Sequence, residues 1–140
     1  MKTLSKKVSW KLHNENTKVL IDIRSHIFFL NIFFIKQNSF LKLKNYLKNT
    51  RGSKNTKLSS NIIIATCLKV LNLLKIKNCI TVSSVLFKLL RKYNYKPKLF
   101  IGANYADKKL ISHAWVEFEG NIYQGNPINT LRLTKFLEIE

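Results

Sequence analysis

Acidic residues are scarce in this chain. Seven Asp and Glu stand against 25 Lys and Arg in 140 residues, and the formal net charge is +18. A charge of this size is compatible with binding to nucleic acid, anionic lipid or an acidic peptide. The excess is nearly all lysine, however, and Asn and Ile are also abundant, which is the bias that an AT-rich genome imposes. The charge alone therefore does not identify a partner.

Cysteine and long apolar runs are also rare. The two cysteines, Cys67 and Cys79, are not spaced as a zinc pair and are too few for a disulfide framework. The most apolar stretch, "IFFLNIFFI" at residues 27–35, is half the length of the roughly twenty residues that span a membrane. No apolar run follows the basic start, so we expect no secretory signal. We interpret the protein as cytoplasmic, with both thiols reduced.

Glycine and proline are few, with four Gly and two Pro, and 46% of the residues are hydrophobic. This composition indicates a globular domain, and the length suits a single one over residues 1–140. The one credible linker is the polar stretch "NTRGSKNTKLSSN" at residues 49–61. It divides a helical amino-terminal part, residues 1–60, from a core at residues 61–140.

Apolar residues recur at helical spacing in the first two thirds of the chain. This spacing predicts helices over residues 17–35, 40–48, 61–77 and 79–95, with Ser60 capping the third and Asn78 or Thr81 capping the fourth. Alternating patterns then predict strands at residues 98–105, 113–118 and 121–125, with a two-residue turn at Glu119–Gly120. The tail is compatible with a strand or a short helix. Helices followed by antiparallel strands indicate an α+β fold.

Cys79 is the candidate nucleophile because it begins a predicted helix. Unpaired N–H groups and the helix dipole stabilise a thiolate at that position, and the thiolate is the reactive form of cysteine. Cys67 lies in the middle of a helix on its apolar face, where a core role is expected. His113 is the natural partner, because the other histidines lie in the helical front part of the chain.

The hairpin register predicts the third member of the site. With Glu119 and Gly120 as the loop, Phe118 pairs with Asn121, and continuation of the pairing puts Asn126 opposite His113. A one-residue bulge would put Gly125 there instead. An amide oxygen on Asn126 would hold the imidazole in the required tautomer, as the orienting residue of a Cys–His–Asn set.

The segment from residue 78 to residue 125 resembles the transglutaminase-like cysteine peptidases of lasso-peptide biosynthesis. Cys79 is followed in order by "KLLRKY", "LFIGA", "HAWVE" and "EG", and the "HAWVE" block at residues 113–117 is the most specific of these motifs. The resemblance is strong from about residue 61 onward. It implies a transglutaminase or papain-like core that consists of helices followed by a small antiparallel sheet.

The same resemblance implies a leader peptidase of the short form, without its own leader-binding domain. The family's nucleophile falls on Cys79 and its histidine on His113, and no metal or cofactor is required. The implied partners are the precursor peptide, a separate leader-recognition protein and a macrolactam cyclase. The family commonly has an aspartate where this chain has Gly125. Either Asn126 or another residue then orients the imidazole, or activity is reduced or lost.

Two alternatives from other classes stay open at this point. One is a catalytically impaired scaffold of the same fold within a maturation complex, which the glycine at position 125 favours. The other is a basic nucleic-acid-binding module. Such a module is expected to carry Lys and Arg interleaved with exposed aromatic residues on one face, whereas the lysines here are spread along the whole chain.

Overall fold

A computed structural model describes residues 17–27, 40–50, 52, 58–125, 127–130 and 132–140. The helices are α1 (residues 17–27), α2 (Phe40–Lys48), α3 (Ser60–Leu73), α4 (Cys79–Lys92) and the single turn α5 (Pro127–Thr130). The strands are β1 (Lys98–Ala106), β2 (Lys109–Phe118), β3 (Asn121–Tyr123) and β4 (Thr134–Ile139). The predicted α+β fold is confirmed.

The central element is α4, whose residues 82–90 are all buried. An amphipathic helix buries one stripe, so burial on every side means that α4 is enclosed by other elements. It packs against α3 and α2 on one side and against β1 and β2 on the other. Its predicted cap is also confirmed, because the Asn78 side chain accepts hydrogen bonds from the N–H groups of Ile80 and Thr81.

The helix predicted over residues 40–48 has those bounds in the structure, whereas α4 ends at Lys92 rather than at residue 95 and the other two predicted helices also differ at their ends. The third helix ends at Leu73 rather than at residue 77, because the chain turns at Lys75, whose φ of 57° is left-handed. Its N-cap is Ser59, not Ser60, and the Ser59 side chain makes no capping hydrogen bond. The helix predicted over residues 17–35 is helical in its described part, residues 17–27, and residues 28–35 lie outside the described part of the chain.

Polar contacts join α1 to α2 and α4. His26 Nδ1 lies 3.2 Å from the Tyr46 hydroxyl, and Lys92 Nζ pairs with Asp22 at 2.5 Å. Burial lowers the pKa of His26 to about 4, with help from the charges of Lys88 and Lys92 and against the opposing charge of Asp22. His26 Nε2 is buried without a hydrogen-bond partner in the described structure.

The four strands form one antiparallel sheet in the order β3-β2-β1-β4. The β2–β3 pairs are Val116–Tyr123, Glu117–Ile122 and Phe118–Asn121, as the two-residue turn predicts. Both residues of that turn have positive φ, 49° at Glu119 and 77° at Gly120, and the Asp107–Lys108 turn between β1 and β2 does the same. Turns of this kind follow the right-handed twist of the strands and fix their register.

The two faces of the sheet have different roles. The inner face packs on α4 and carries the core residues Leu99, Ile101, Ala114, Val116, Phe118 and Ile139. On the outer face, Trp115 is fully buried and stacks on Phe100 with ring centroids 5.7 Å apart. The Lys135 ammonium lies 3.7 Å from the centroid of the Phe100 ring.

The tail of the chain contains both a helical turn and a strand, the two structures with which its sequence is compatible. The α5 turn comes directly before β4, which pairs with β1. None of the helices in the described part of the chain is long and apolar enough to cross a membrane.

Candidate active site

Cys79 is the first residue of α4, and its side chain is half-buried. The helix begins here because Asn78 has an extended backbone and its Oδ1 accepts from Ile80 N at 3.0 Å and from Thr81 N at 3.1 Å. The Asn78 cap therefore occupies two of the helix-start N–H groups that we expected to stabilise a thiolate. The Cys79 N–H makes no hydrogen bond to any described residue, so it stays available at the helix start.

Cys67 has the core position that its spacing predicts. It is fully buried on the α3 face that packs in the core. Burial raises the pKa of the Cys67 thiol to about 12, because the apolar surroundings disfavour the thiolate. Of the two thiols, Cys79 is therefore the one in a position to react.

His113 lies on β2 with its ring nearly parallel to that of Trp115, 11° between planes and 6.5 Å between centroids. Its Nε2 donates a hydrogen bond to the backbone carbonyl of Gln124, just after β3. A carbonyl oxygen can only accept, so Nε2 carries a hydrogen. In the neutral ring Nδ1 is then the basic nitrogen, and it has no hydrogen-bond partner among the described residues. The imidazole is thus held in one tautomer by a backbone group.

Two contacts show how α4 runs along β2. Ser83, one helical turn after Cys79, donates from its hydroxyl to the Ala114 carbonyl at 3.0 Å. At the other end of the helix, the ring of Tyr95 meets that of Phe118 edge-on at 5.5 Å. The helix and the strand therefore run in the same direction, and the Cys79 end of α4 lies at the His113 end of β2.

Cys79 and His113 are not in hydrogen-bond contact in the described structure. Successive side chains of a strand point to opposite faces. Ala114 faces α4 on the inner side, so His113 points to the outer face beside Trp115. The structure brings the two predicted residues to one end of the sheet but leaves the imidazole on the far side of β2 from the thiol.

A cavity of about 660 Å³ opens on the outer face next to His113. It is lined by Asn104, Ile111, Gln124, Asn129, Arg132 and Leu133, among others. The Asn104 amide donates to the Arg132 carbonyl at 3.0 Å and so ties the β1 wall of the cavity to the segment before β4. The lining is mixed, with Ile111 and Leu133 as apolar walls among several polar side chains, and a concave site of this size can hold a small ligand.

Glu117 supports the Trp115 ring from the same face. Trp115 Nε1 donates to its carboxylate at 3.0 Å, and Lys135 Nζ donates to it at 3.1 Å. Burial disfavours the ionised form, but these two hydrogen bonds together with the charges of Lys135 and Lys98 outweigh that effect and hold the pKa of Glu117 below its usual value. The carboxylate thus fixes the indole on which the His113 ring lies.

Gly125 occupies a place with no room for a side chain. A Cβ built there would lie 2.7 Å from Thr130 Cγ2, 3.1 Å from Ile122 Cγ2 and 3.3 Å from Trp115 Cβ. The backbone passes close to the outer face at this point, and an acidic side chain would need its neighbours to move. Asn126, the predicted orienting residue, lies outside the described residues.

Two groups of this site were not predicted from the sequence. Ser83 was detectable, since a serine one turn after a helix-start cysteine shares its face. The Gln124 carbonyl was not, because every residue has a backbone carbonyl and no side-chain pattern marks the one that accepts a bond.

The site thus consists of a helix that begins with a half-buried cysteine and packs on a strand that bears a histidine, within an α+β fold. The family model described as the Transglutaminase-like superfamily matches residues 39–138. That match covers most of the chain and includes α2, and the protein belongs to the transglutaminase-like superfamily. No curated protein and no solved structure matches the chain significantly.

Proposed function

We propose that this protein is a cysteine peptidase that removes the leader from a ribosomally made precursor peptide during lasso-peptide maturation. The observation that carries the proposal is the position of Cys79 as the first residue of a helix anchored to the "HAWVE" strand by Ser83. Membership of the transglutaminase-like superfamily supports thiol chemistry. The "HAWVE" block and the other motifs that follow Cys79 support the substrate class, because they resemble those of the lasso-peptide family.

In this mechanism His113 Nδ1 takes the proton of the Cys79 thiol, and the resulting thiolate attacks the carbonyl carbon of the last leader residue. The Cys79 N–H, left unpaired by the Asn78 cap, is a donor for the oxyanion. His113 then gives a proton to the departing amine, and the C–N bond breaks to leave a thioester. The imidazole next removes a proton from water, which attacks the thioester and frees the leader as a carboxylic acid. The freed amine is the group that a macrolactam cyclase acylates.

The geometry sets a condition on this mechanism. The Nε2–Gln124 bond directs Nδ1 as the base, so Nδ1 has to approach the Cys79 sulfur when substrate is bound. Because the imidazole lies beside Trp115 on the face of β2 opposite α4, this approach requires the His113 side chain to leave that face, which is more than the shortening of a hydrogen bond. The precursor and a separate leader-recognition protein are the partners that would supply this binding. Asn126 stays a proposed orienting residue, in addition to the Gln124 carbonyl.

The experiment is cleavage of the precursor, followed by mass spectrometry with the recognition protein present. Cys79→Ala is expected to abolish cleavage, because it removes the nucleophile and leaves the packed part of α4 unchanged. Cys67→Ala is the matched control and is expected to cleave at nearly the normal rate. Retained cleavage by the Cys79 variant would rule out the cysteine-peptidase function.

A specific observation favours a second candidate, the catalytically impaired scaffold. His113 faces away from α4, and Gly125 has no space for the family's acid. A scaffold of this kind would bind the precursor or the cyclase without cutting. Unchanged precursor together with tight binding by the unaltered protein would favour this candidate over the peptidase.

A further inference from the structure

The β2 strand has no partner strand along part of one edge in the described part of the chain. Its residues Lys109 to Glu117 pair with β1. On its other side, β3 pairs only with residues 116–118, because the chain leaves the sheet at Gln124, whose φ is 63°. Among the described residues, no strand covers the β3 side of residues 109–115.

Backbone alternation identifies the groups on this edge. The two-residue turn makes Phe118–Asn121 the closing pair, so the N–H and C=O of Phe118 point toward β3. Every second residue before it points the same way, which includes Ala114, Ser112 and Leu110. The Ala114 carbonyl accepts from Ser83, which substitutes for the missing strand. The N–H and C=O groups of Leu110 and Ser112 have no partner among the described residues.

The side chains around this edge are unusually exposed for apolar residues. Leu110 is 67% exposed and Ile111 is 50% exposed, and Tyr105, the cross-strand partner of Leu110, is 71% exposed. An exposed apolar strand with free backbone groups is a template for another strand. The edge also ends at His113, where the cavity of about 660 Å³ opens.

The charge of the chain argues against a second copy as the occupant. Edge-to-edge pairing of two copies would bring together two chains of net charge +18, and Lys109 lies on the edge itself. Like charges repel in such an arrangement, whereas an acidic strand is attracted. Charge complementarity therefore selects a peptide that combines apolar and acidic side chains.

We infer that residues 109–113 of β2 are a docking site for an extended acidic peptide, which adds a strand to the sheet and passes the reactive residues. The identification of this peptide with the precursor rests on the proposed peptidase function. Backbone hydrogen bonds to Leu110 and Ser112 hold the peptide, and alternate side chains lie over the Tyr105–Leu110 pair or at the outer-face cavity. The sheet edge thus presents the substrate, and α4 presents Cys79 at the same end.

The test measures binding separately from cleavage. The host is Cys79→Ala, and the probe is a rhodamine-labelled peptide of alternating Glu and Val residues, followed by fluorescence anisotropy. Ser112→Pro removes the Ser112 N–H without touching a β1 bond, so we expect the Kd to rise about fivefold to tenfold. Ser112→Ala keeps that N–H and is the matched control, with an expected Kd within about twofold of the parent.

A second measurement leaves the protein unaltered, in case Ser112→Pro does not fold. Two versions of the probe are N-methylated on alternate residues, in the two possible phases. An added strand directs only every second N–H toward β2, so one phase is expected to lose binding and the other to keep it. A probe with Lys in place of Glu is expected to bind at least tenfold more weakly.

Three outcomes would overturn the inference. Equal binding of both methylated probes would mean that the peptide does not pair with a strand. An unchanged Kd in a folded Ser112→Pro variant would exclude this edge. Dimers that Ser112→Pro abolishes would make a second copy the occupant. Probe binding with no precursor cleavage by the unaltered protein would leave this docking site standing and remove the peptidase function.

Discussion

Ser83 and Ser84 form a natural pair for testing how α4 is held on the sheet. Both side chains are fully buried and adjacent in the helix. Ser83 Oγ donates to the Ala114 carbonyl at 3.0 Å, whereas Ser84 Oγ has no hydrogen-bond partner in the described structure. Replacement of either by Ala removes the same oxygen atom and leaves the same small void. The difference between the two variants therefore isolates the hydrogen bond.

The expected magnitudes follow from this difference. Ser83→Ala removes a buried hydrogen bond and also leaves the Ala114 carbonyl without the partner that replaces β3, so we expect a loss of about 2 kcal/mol in the free energy of unfolding. For a chain of this size that loss lowers the Tm by roughly 6 °C. Ser84→Ala removes a buried hydroxyl that makes no hydrogen bond in the described structure. The free energy of unfolding of this variant is therefore expected to be unchanged or higher by up to about 1 kcal/mol.

The assay is urea unfolding followed by tryptophan fluorescence, to which Trp115, fully buried in the native state, contributes together with Trp10. Equal slopes with different midpoints would show that only stability changed. If Ser83→Ala and Ser84→Ala shift the midpoint equally, the Ser83–Ala114 bond does not hold the helix and the reasoning fails. Under the proposed function, Ser83→Ala should also slow precursor cleavage by roughly tenfold or more, because it loosens the placement of Cys79.

Three further predictions concern reactivity, pH and packing. With a pKa of about 12, only about one Cys67 in ten thousand is a thiolate at pH 8. Iodoacetamide should therefore label Cys79 at least about 100-fold faster than Cys67, as followed by intact mass. Equal rates would contradict the assignment of the reactive thiol. His26 is protonated near pH 6.5 in the unfolded chain but only near pH 4 in the native chain. Its contribution to the free energy of unfolding is therefore complete above pH 6.5 and is lost as the pH falls toward 4. Partial solvation of the ring limits this loss to about 2 kcal/mol. The free energy of unfolding of the His26→Gln variant should not show this loss. Gly125→Asp should cost about 1–3 kcal/mol through the Thr130 clash, and Thr130→Ser should recover part of it; no cost would mean that the site has room for the acid.

The α4 helix and the β2–β3 hairpin could be predicted from the sequence because their determinants are local. Apolar spacing predicts the helix and its apolar face, although not the burial of Ser83, Ser84 and Lys88, and the Asn78 side chain caps the helix from the adjacent position. The two-residue turn fixes the pairing of Phe118 with Asn121. Cys79 at a helix start follows from these local features alone. The predicted extension of α3 to residue 77 was wrong because apolar spacing continues past a left-handed Lys75.

The environment of His113 was decided by the tertiary structure. Its ring nitrogen bonds to the carbonyl of Gln124, and its ring lies on Trp115 beside a cavity that segments distant in sequence enclose. Because β3 pairs only with residues 116–118, the Ala114 carbonyl accepts its hydrogen bond from Ser83 instead of from a strand. For the same reason no described strand pairs with Ser112 on that side of β2. Side-chain patterns determine which residues are buried, but backbone carbonyl and N–H groups are the same at nearly every position. Only the folded path of the chain decides which of these groups meet a partner.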